Sequence, residues 1–208
     1  MAWYQWLSLG SLVICTLSLL YHIVRLVRKG NPEDFATPAG SGAAGIRYAF
    51  TGAMSPKKKE SAYLHLPTYT AGLIYHLGTF ISLLLYIIFL FIPHLNPLLL
   101  SILLSLSLLS GVAILVKRVY KRLLRRLSNP DDYLSNLLVT LFQATTIAYL
   151  LLSGNPENRA SDPTALVYHL SAGLLFLYMP LGKLKHLVYF FAARYHLGWF
   201  YGRRGVWR

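Results

Sequence analysis

The sequence predicts an all-α integral membrane protein, a five-transmembrane-helix bundle with its N-terminus outside and its C-terminus cytoplasmic. Three observations predict it. Hydrophobic residues make up 55% of the 208 and charged residues only 13%, with mean hydropathy +0.48, whereas soluble domains carry about 25% charged residues. The apolar residues gather into five runs, approximately 6–27, 71–92, 97–117, 133–153 and 165–184. Each has the roughly 20 residues that a helix needs to cross about 30 Å of hydrocarbon. Finally, Lys and Arg are partitioned. The segments placed inside, 25–70, 117–133 and 183–208, carry seven, six and six of them, and the outside loops carry Arg159 alone. That is the positive-inside pattern.

Each element follows in order. Residues 1–10 carry no charge and basic residues follow the first run at Arg25, Arg28 and Lys29. This order favours a retained first helix over a cleavable signal. Cys15, in that run, is the one cysteine of the chain. It allows no internal disulfide and no cysteine-ligated cluster, so it is read as a small packing residue and any iron–sulfur centre belongs to a partner. A long polar stretch follows, a cytoplasmic loop at about 28–70 rich in Gly and Pro with Lys57, Lys58 and Lys59. Its apolar residues Phe35, Ile46, Tyr48, Phe50 and Met54 argue against full disorder. It reads as a docking surface, with a short amphipathic helix around 44–54 lying on the membrane.

The second and third runs are joined outside by Pro93, His94, Leu95, Asn96 and Pro97. Residues 98–109 are apolar on every side, which a barrel strand of alternating polarity is not. The third run continues into a basic extension through Arg126, and Asn129 and Asp131 offer caps for the fourth. The tail mixes Trp199, Tyr201 and Trp207 with Arg203, Arg204 and Arg208, an interfacial composition. Residues 1–208 are thus read as a single membrane domain. The net charge of +13 is accounted for by topology and attraction to anionic membrane lipids, with no nucleic acid partner.

Polar groups inside a span are functional candidates because they cost free energy there. No acidic residue falls in any of the five runs, which weakens proton-pump and cation-transporter readings. The histidines remain. His76, early in the second run, and His186, at the cytoplasmic end of the fifth, lie near the same depth on antiparallel helices. Either the two imidazoles ligate a haem iron from both sides, or they are two interfacial histidines with separate hydrogen bonds. His169 lies seventeen residues, about 25 Å, before His186, far enough for a second haem. His94 matches it in depth, either as its partner or as a loop histidine. His22, His65 and His196 read as helix-end or interfacial residues.

The order of these features resembles the membrane cytochrome b (gamma) subunit of respiratory nitrate reductases. It is also similar to the related membrane subunits of heterodisulfide reductases and sulfate-reducer redox complexes. The pieces are Leu73, Ile74, Tyr75, His76, Leu77 and Gly78; the basic run from Lys121 to Leu127; Leu137 to Gln143; and His169, Gly173, Pro180, Lys183 and His186. The resemblance implies a haem b held by His76 and His186. It also implies a second haem whose ligands are His169 and the position occupied here by Tyr86, a departure from the family pattern that His94 could make good. It implies a multi-pass subunit of the cell inner membrane moving electrons between menaquinone, or another quinone, and cytoplasmic iron–sulfur partner subunits. The alternative expectation is a non-redox membrane anchor of such a complex.

Overall fold

The computed structural model describes residues 2–30, 34–91, 97–152 and 162–207. Among them the chain forms helices and no strand. In order these are α1 (Trp3–Lys29), α2 (Gly42–Phe50), α3 (Glu60–Tyr63), α4 (Leu66–Phe91), α5 (Pro97–Tyr120), α6 (Arg122–Leu127), α7 (Pro130–Leu152), α8 (Pro163–Tyr178) and α9 (His186–Arg203). Four of them, α1, α4, α5 and α7, are long and apolar enough to cross a membrane. A fifth is counted if α8 and the helix after its break form one span.

Burial is inverted relative to a soluble protein. On α5 the exposed positions are Leu98, Leu99, Ile102, Leu106 and Leu109, while Ser101 and Ser107 are buried. Water would reject that arrangement. A hydrocarbon solvent permits it, because lipid tails are as apolar as leucine and helices then associate through small and polar residues.

The chain divides into two compact units. The first comprises Met1–Thr16 and Pro67–Leu184. Here α7 packs against both α5 and α8. It buries Ser135, Leu138, Val139, Phe142, Gln143, Thr146 and Tyr149, a stripe at helical spacing. Its start is fixed by a reciprocal cap: the Asp132 amide donates to Asn129 Oδ1 and the Asn129 amide to Asp132 Oδ2, both at 3.0 Å. Asp132 also pairs with Arg118 at 3.0 Å and with Lys183. Gly78 on α4 lies so close to Ser107 that an added Cβ would sit 2.1 Å from its hydroxyl.

The sequence places one continuous fifth span at 165–184, but the helix ends sooner. α8 has 16 residues, and the chain then turns, with Leu181 and Gly182 both donating to the Tyr178 carbonyl at 3.0 Å. Pro180 is the physical reason: it has no amide hydrogen to donate, and its ring would clash with the carbonyl four residues back. Helix resumes as α9 through Arg203, where the sequence reading placed an interfacial tail.

The second unit comprises Leu17–Leu66 and Lys185–Arg208. The short helix expected around 44–54 forms as α2, capped by the Ser41 hydroxyl, which accepts from the Ala44 amide at 3.3 Å. It is followed by a 3₁₀ turn, Gly52–Met54. Helix α2 lies directly on α9. A Cβ at Gly45 would fall 2.2 Å from the Gly198 carbonyl oxygen and 2.4 Å from Gly202 Cα, so only glycine permits this approach. The amides of Ala39 and Gly40 donate to the Arg203 carbonyl at 2.7 and 2.9 Å, and Asp34 pairs with Arg204 at 3.0 Å. The Gly- and Pro-rich stretch is therefore tied down on the C-terminal helix.

Candidate functional site

Several of the polar residues that the spans bury form two hydrogen-bonded clusters in the first unit, whereas the buried hydroxyls of Ser82, Ser101 and Tyr168 make no hydrogen bond among the described residues. One cluster joins α4, α5 and α7. Gln143 Nε2 donates to Thr79 Oγ1 at 2.9 Å and to the Tyr75 carbonyl at 3.3 Å, and Ser107 donates to Gln143 Oε1 at 3.2 Å. The Tyr75 hydroxyl donates to the Asn136 carbonyl at 3.0 Å and lies 3.0 Å from Thr140 Oγ1. Asn136 Nδ2 reaches the Gly111 carbonyl at 3.4 Å. These bonds fix the rotation of α4 about its own axis.

His76, next to Tyr75, is thereby held at one azimuth. It lies on an exposed face of α4, off the buried stripe Gly78, Ser82, Leu85, Tyr86 and Phe89. Its Nδ1 is 2.7 Å from the Gly72 carbonyl oxygen. A carbonyl only accepts, so Nδ1 carries the proton, and in the neutral ring Nε2 holds the lone pair. This is how metal-ligating imidazoles are oriented: the distal nitrogen donates to a carbonyl and the other is presented to the metal. His186 is the first residue of α9 and is exposed. It belongs to the second unit, whereas His76 belongs to the first.

The second cluster surrounds His169. The Tyr86 hydroxyl donates to Ser8 Oγ at 2.8 Å, Ser8 donates to the Gln5 carbonyl at 3.0 Å, and His169 Nδ1 lies 3.0 Å from Ser8 Oγ. Ser8 has one proton and uses it on Gln5, so the network assigns the remaining donor to His169 Nδ1–H. Four rings enclose the imidazole, those of Tyr168, Tyr4, Tyr86 and Tyr149, at centroid distances of 5.2, 5.6, 5.9 and 6.4 Å. Tyr149 and Tyr168 stack at 4.7 Å, and Tyr86 meets Phe176 edge-on at 4.9 Å. Tyr86 and Tyr168 are fully buried.

These residues, packed ring against ring, do not fit a haem at His169. Tyr86 stands where the implied second ligand belongs. Its hydroxyl is spent on Ser8, and a porphyrin would have to displace both it and Tyr168. His94 lies outside the described residues.

The other histidines fall at helix ends and surfaces. His22 Nδ1 is 3.1 Å from the Tyr189 hydroxyl. His65 is exposed in the turn before α4, and His196 is partly exposed on α9. Among the described residues no three His, Cys, Asp or Glu side chains converge on a common point. Sequence reasoning did not find the partnership of Ser8 with Tyr86 and His169. One signal was available: Gly78, Ser82 and Tyr86 recur every four residues, which marks the protein-facing side of α4 and sets His76 off it. Comparison with protein-family models, with curated proteins and with solved structures finds no match to this chain.

Proposed function

We propose that this chain is a multi-pass subunit of the cell inner membrane that holds one haem b between His76 and His186. It passes electrons between a quinone, such as menaquinone, and a cytoplasmic iron–sulfur partner. The observation that carries the reading is the hydrogen bond from His76 Nδ1 to the Gly72 carbonyl, which fixes the ring's tautomer and its orientation on α4. The resemblance of its motif order to the nitrate reductase gamma-subunit family motivates it, as does the absence of acidic residues from the five apolar runs.

In this reading the residues have separate tasks. Gly72 sets the tautomer of His76. Gln143, Thr79, Ser107 and Tyr75 keep α4 from rotating, so the imidazole holds one angle. The apolar spans exclude water, which would otherwise stabilise the charged states and shift the potential. The haem, when bound, supplies one-electron transfer. His169 serves as a packing and hydrogen-bonding residue, so one haem per chain is expected instead of two.

The closed cluster around His169 also favours a second reading, a membrane anchor without redox function. One experiment separates the two: the pyridine haemochrome and reduced-minus-oxidised spectrum of the complex purified with its partners. A b-type band at one haem per chain, lost in His76→Ala and in His186→Ala and retained in His65→Ala, supports the haem reading. An intact complex with no such band overturns it in favour of the anchor.

A further inference from the structure

Helix α9 offers two faces within the second unit. Arg194, Gly198 and Gly202, spaced by four, serve α2: Arg194 Nη1 reaches the Ala49 carbonyl at 3.5 Å and the glycines take the close helix contact. The other face carries Val188, Phe191, Ala192 and Tyr195. With Leu19, Ile23 and Val27 of α1 it lines an open-sided cleft of about 1180 Å³. That is slightly beyond the upper end of the roughly 300–1,000 Å³ typical of small-molecule sites. Ala192 and Ala193 leave the room, since larger residues there would fill it. Phe191, Tyr195 and Val27 are 53%, 51% and 74% exposed, so the apolar wall of the cleft is open on one side.

The polar members of the lining are few. The Tyr189 hydroxyl is engaged with His22. Lys29, His196 and the Tyr195 hydroxyl remain, the first two each seven residues, or two turns, beyond that bonded pair along its own helix. The unit around them is strongly basic: residues 17–66 and 185–208 hold twelve of the chain's twenty Lys and Arg, against three of its seven acids. Apolar walls of this volume suit acyl chains. A cationic rim in a cationic unit suits a phosphodiester headgroup.

We propose that this cleft is a binding site for an anionic phospholipid, with its acyl chains between α1 and α9 and its phosphate at Lys29. The site is independent of any haem. It makes the second unit a lipid-anchored platform rather than only a loop. A phospholipid is favoured over a quinone because the rim presents a cation, Lys29, which a neutral quinone has no charge to meet.

The test uses the full chain, delipidated in detergent, and native mass spectrometry with phosphatidylglycerol or phosphatidylcholine of the same acyl chains. The expected result is preferential retention of phosphatidylglycerol. Lys29→Ala should weaken that binding about fivefold and leave phosphatidylcholine unchanged, since one basic residue near an anionic surface contributes about that factor. Ala192→Trp should abolish binding of both lipids with helical content preserved. Should that variant lose its helical content, Lys29→Ala decides alone. Equal retention of the two lipids, an unchanged preference in Lys29→Ala, or a bound menaquinone that phosphatidylglycerol fails to displace would each overturn the proposal. Competition by glycerol phosphate without acyl chains would also overturn it, by showing that the headgroup alone suffices.

Discussion

Replacing His169 by Leu tests whether the buried imidazole is a structural residue or a haem ligand. In the structure it makes one hydrogen bond among the described residues, to Ser8 Oγ at 3.0 Å. The substitution removes that bond but orphans nothing, because Ser8 still donates to Gln5 and still accepts from Tyr86. Hydrogen bonds between membrane helices contribute about 0.6 kcal/mol on average. The ring contacts with Tyr168, Tyr4 and Tyr86, at 5.2 to 5.9 Å, add about 0.5–1.5 kcal/mol where an aromatic pair is well placed. Leucine refills most of the volume, so the loss should be about 1–2 kcal/mol. That corresponds to a fall in the thermal midpoint of roughly 2–4 °C per kcal/mol for a chain of this size. Tyr86→Phe should cost about 0.6 kcal/mol, and the double variant should fall short of additive because both bonds meet at Ser8. Thermal unfolding in detergent, read beside haem content, is the assay. A whole haem equivalent lost from His169→Leu, or strict additivity of the pair, would refute the assignment of His169 to packing.

Three further outcomes are expected. Gly45→Ala should destabilise the second unit by about 1–3 kcal/mol, as overpacking does, because the new methyl meets backbone atoms of Gly198 and Gly202 at 2.2 and 2.4 Å. Gly10→Ala, with nothing within 4 Å of the added carbon, should instead stabilise α1 by about 0.5–1 kcal/mol. Hydrogen exchange of the α2 amides reads the first and thermal unfolding the second. The Asp34 carboxyl is held below its ordinary range, chiefly by its hydrogen bond with Arg204 and then by the Ala36 amide. Its folded value is lowered, so its stabilisation is present above the ordinary carboxylate pKa and lost as pH falls through the lowered one. Protease cutting near residues 34–40 should rise on acidification, and Asp34→Asn should show the faster cutting at neutral pH. A pH-independent rate in the unmodified chain would contradict this.

Class and helix content were legible because they depend on local properties. Run length, mean hydropathy and the absence of interior proline require helices in α1, α4, α5 and α7 wherever the rest of the chain lies. The end of α8 was equally local. Pro180 stood in plain view within the run 165–184, and the hydropathy of that run concealed the break. The short helix before residue 54 was foreseen from its apolar residues, but its seat on α9 was not. That contact joins glycines 153 residues apart, at positions 45 and 198, and no window of sequence contains both.

The candidate site divides along the same line. The sequence by itself supplied the histidines, their depths in the apolar runs and the charge partition, because position along a 1.5 Å-per-residue helix fixes depth. Only the tertiary structure shows what His76 Nδ1 and His169 Nδ1 bond to. His76 is set by a carbonyl one turn away on its own helix, whereas His169 is enclosed by rings from four separated stretches of chain and bonded to Ser8, 161 residues distant. Depth is a property of one helix. Whether two groups at one depth meet, and what stands between them, depends on the rotation of several helices at once. That rotation is fixed by small polar residues such as Ser107 and Gln143, whose role no hydropathy pattern records.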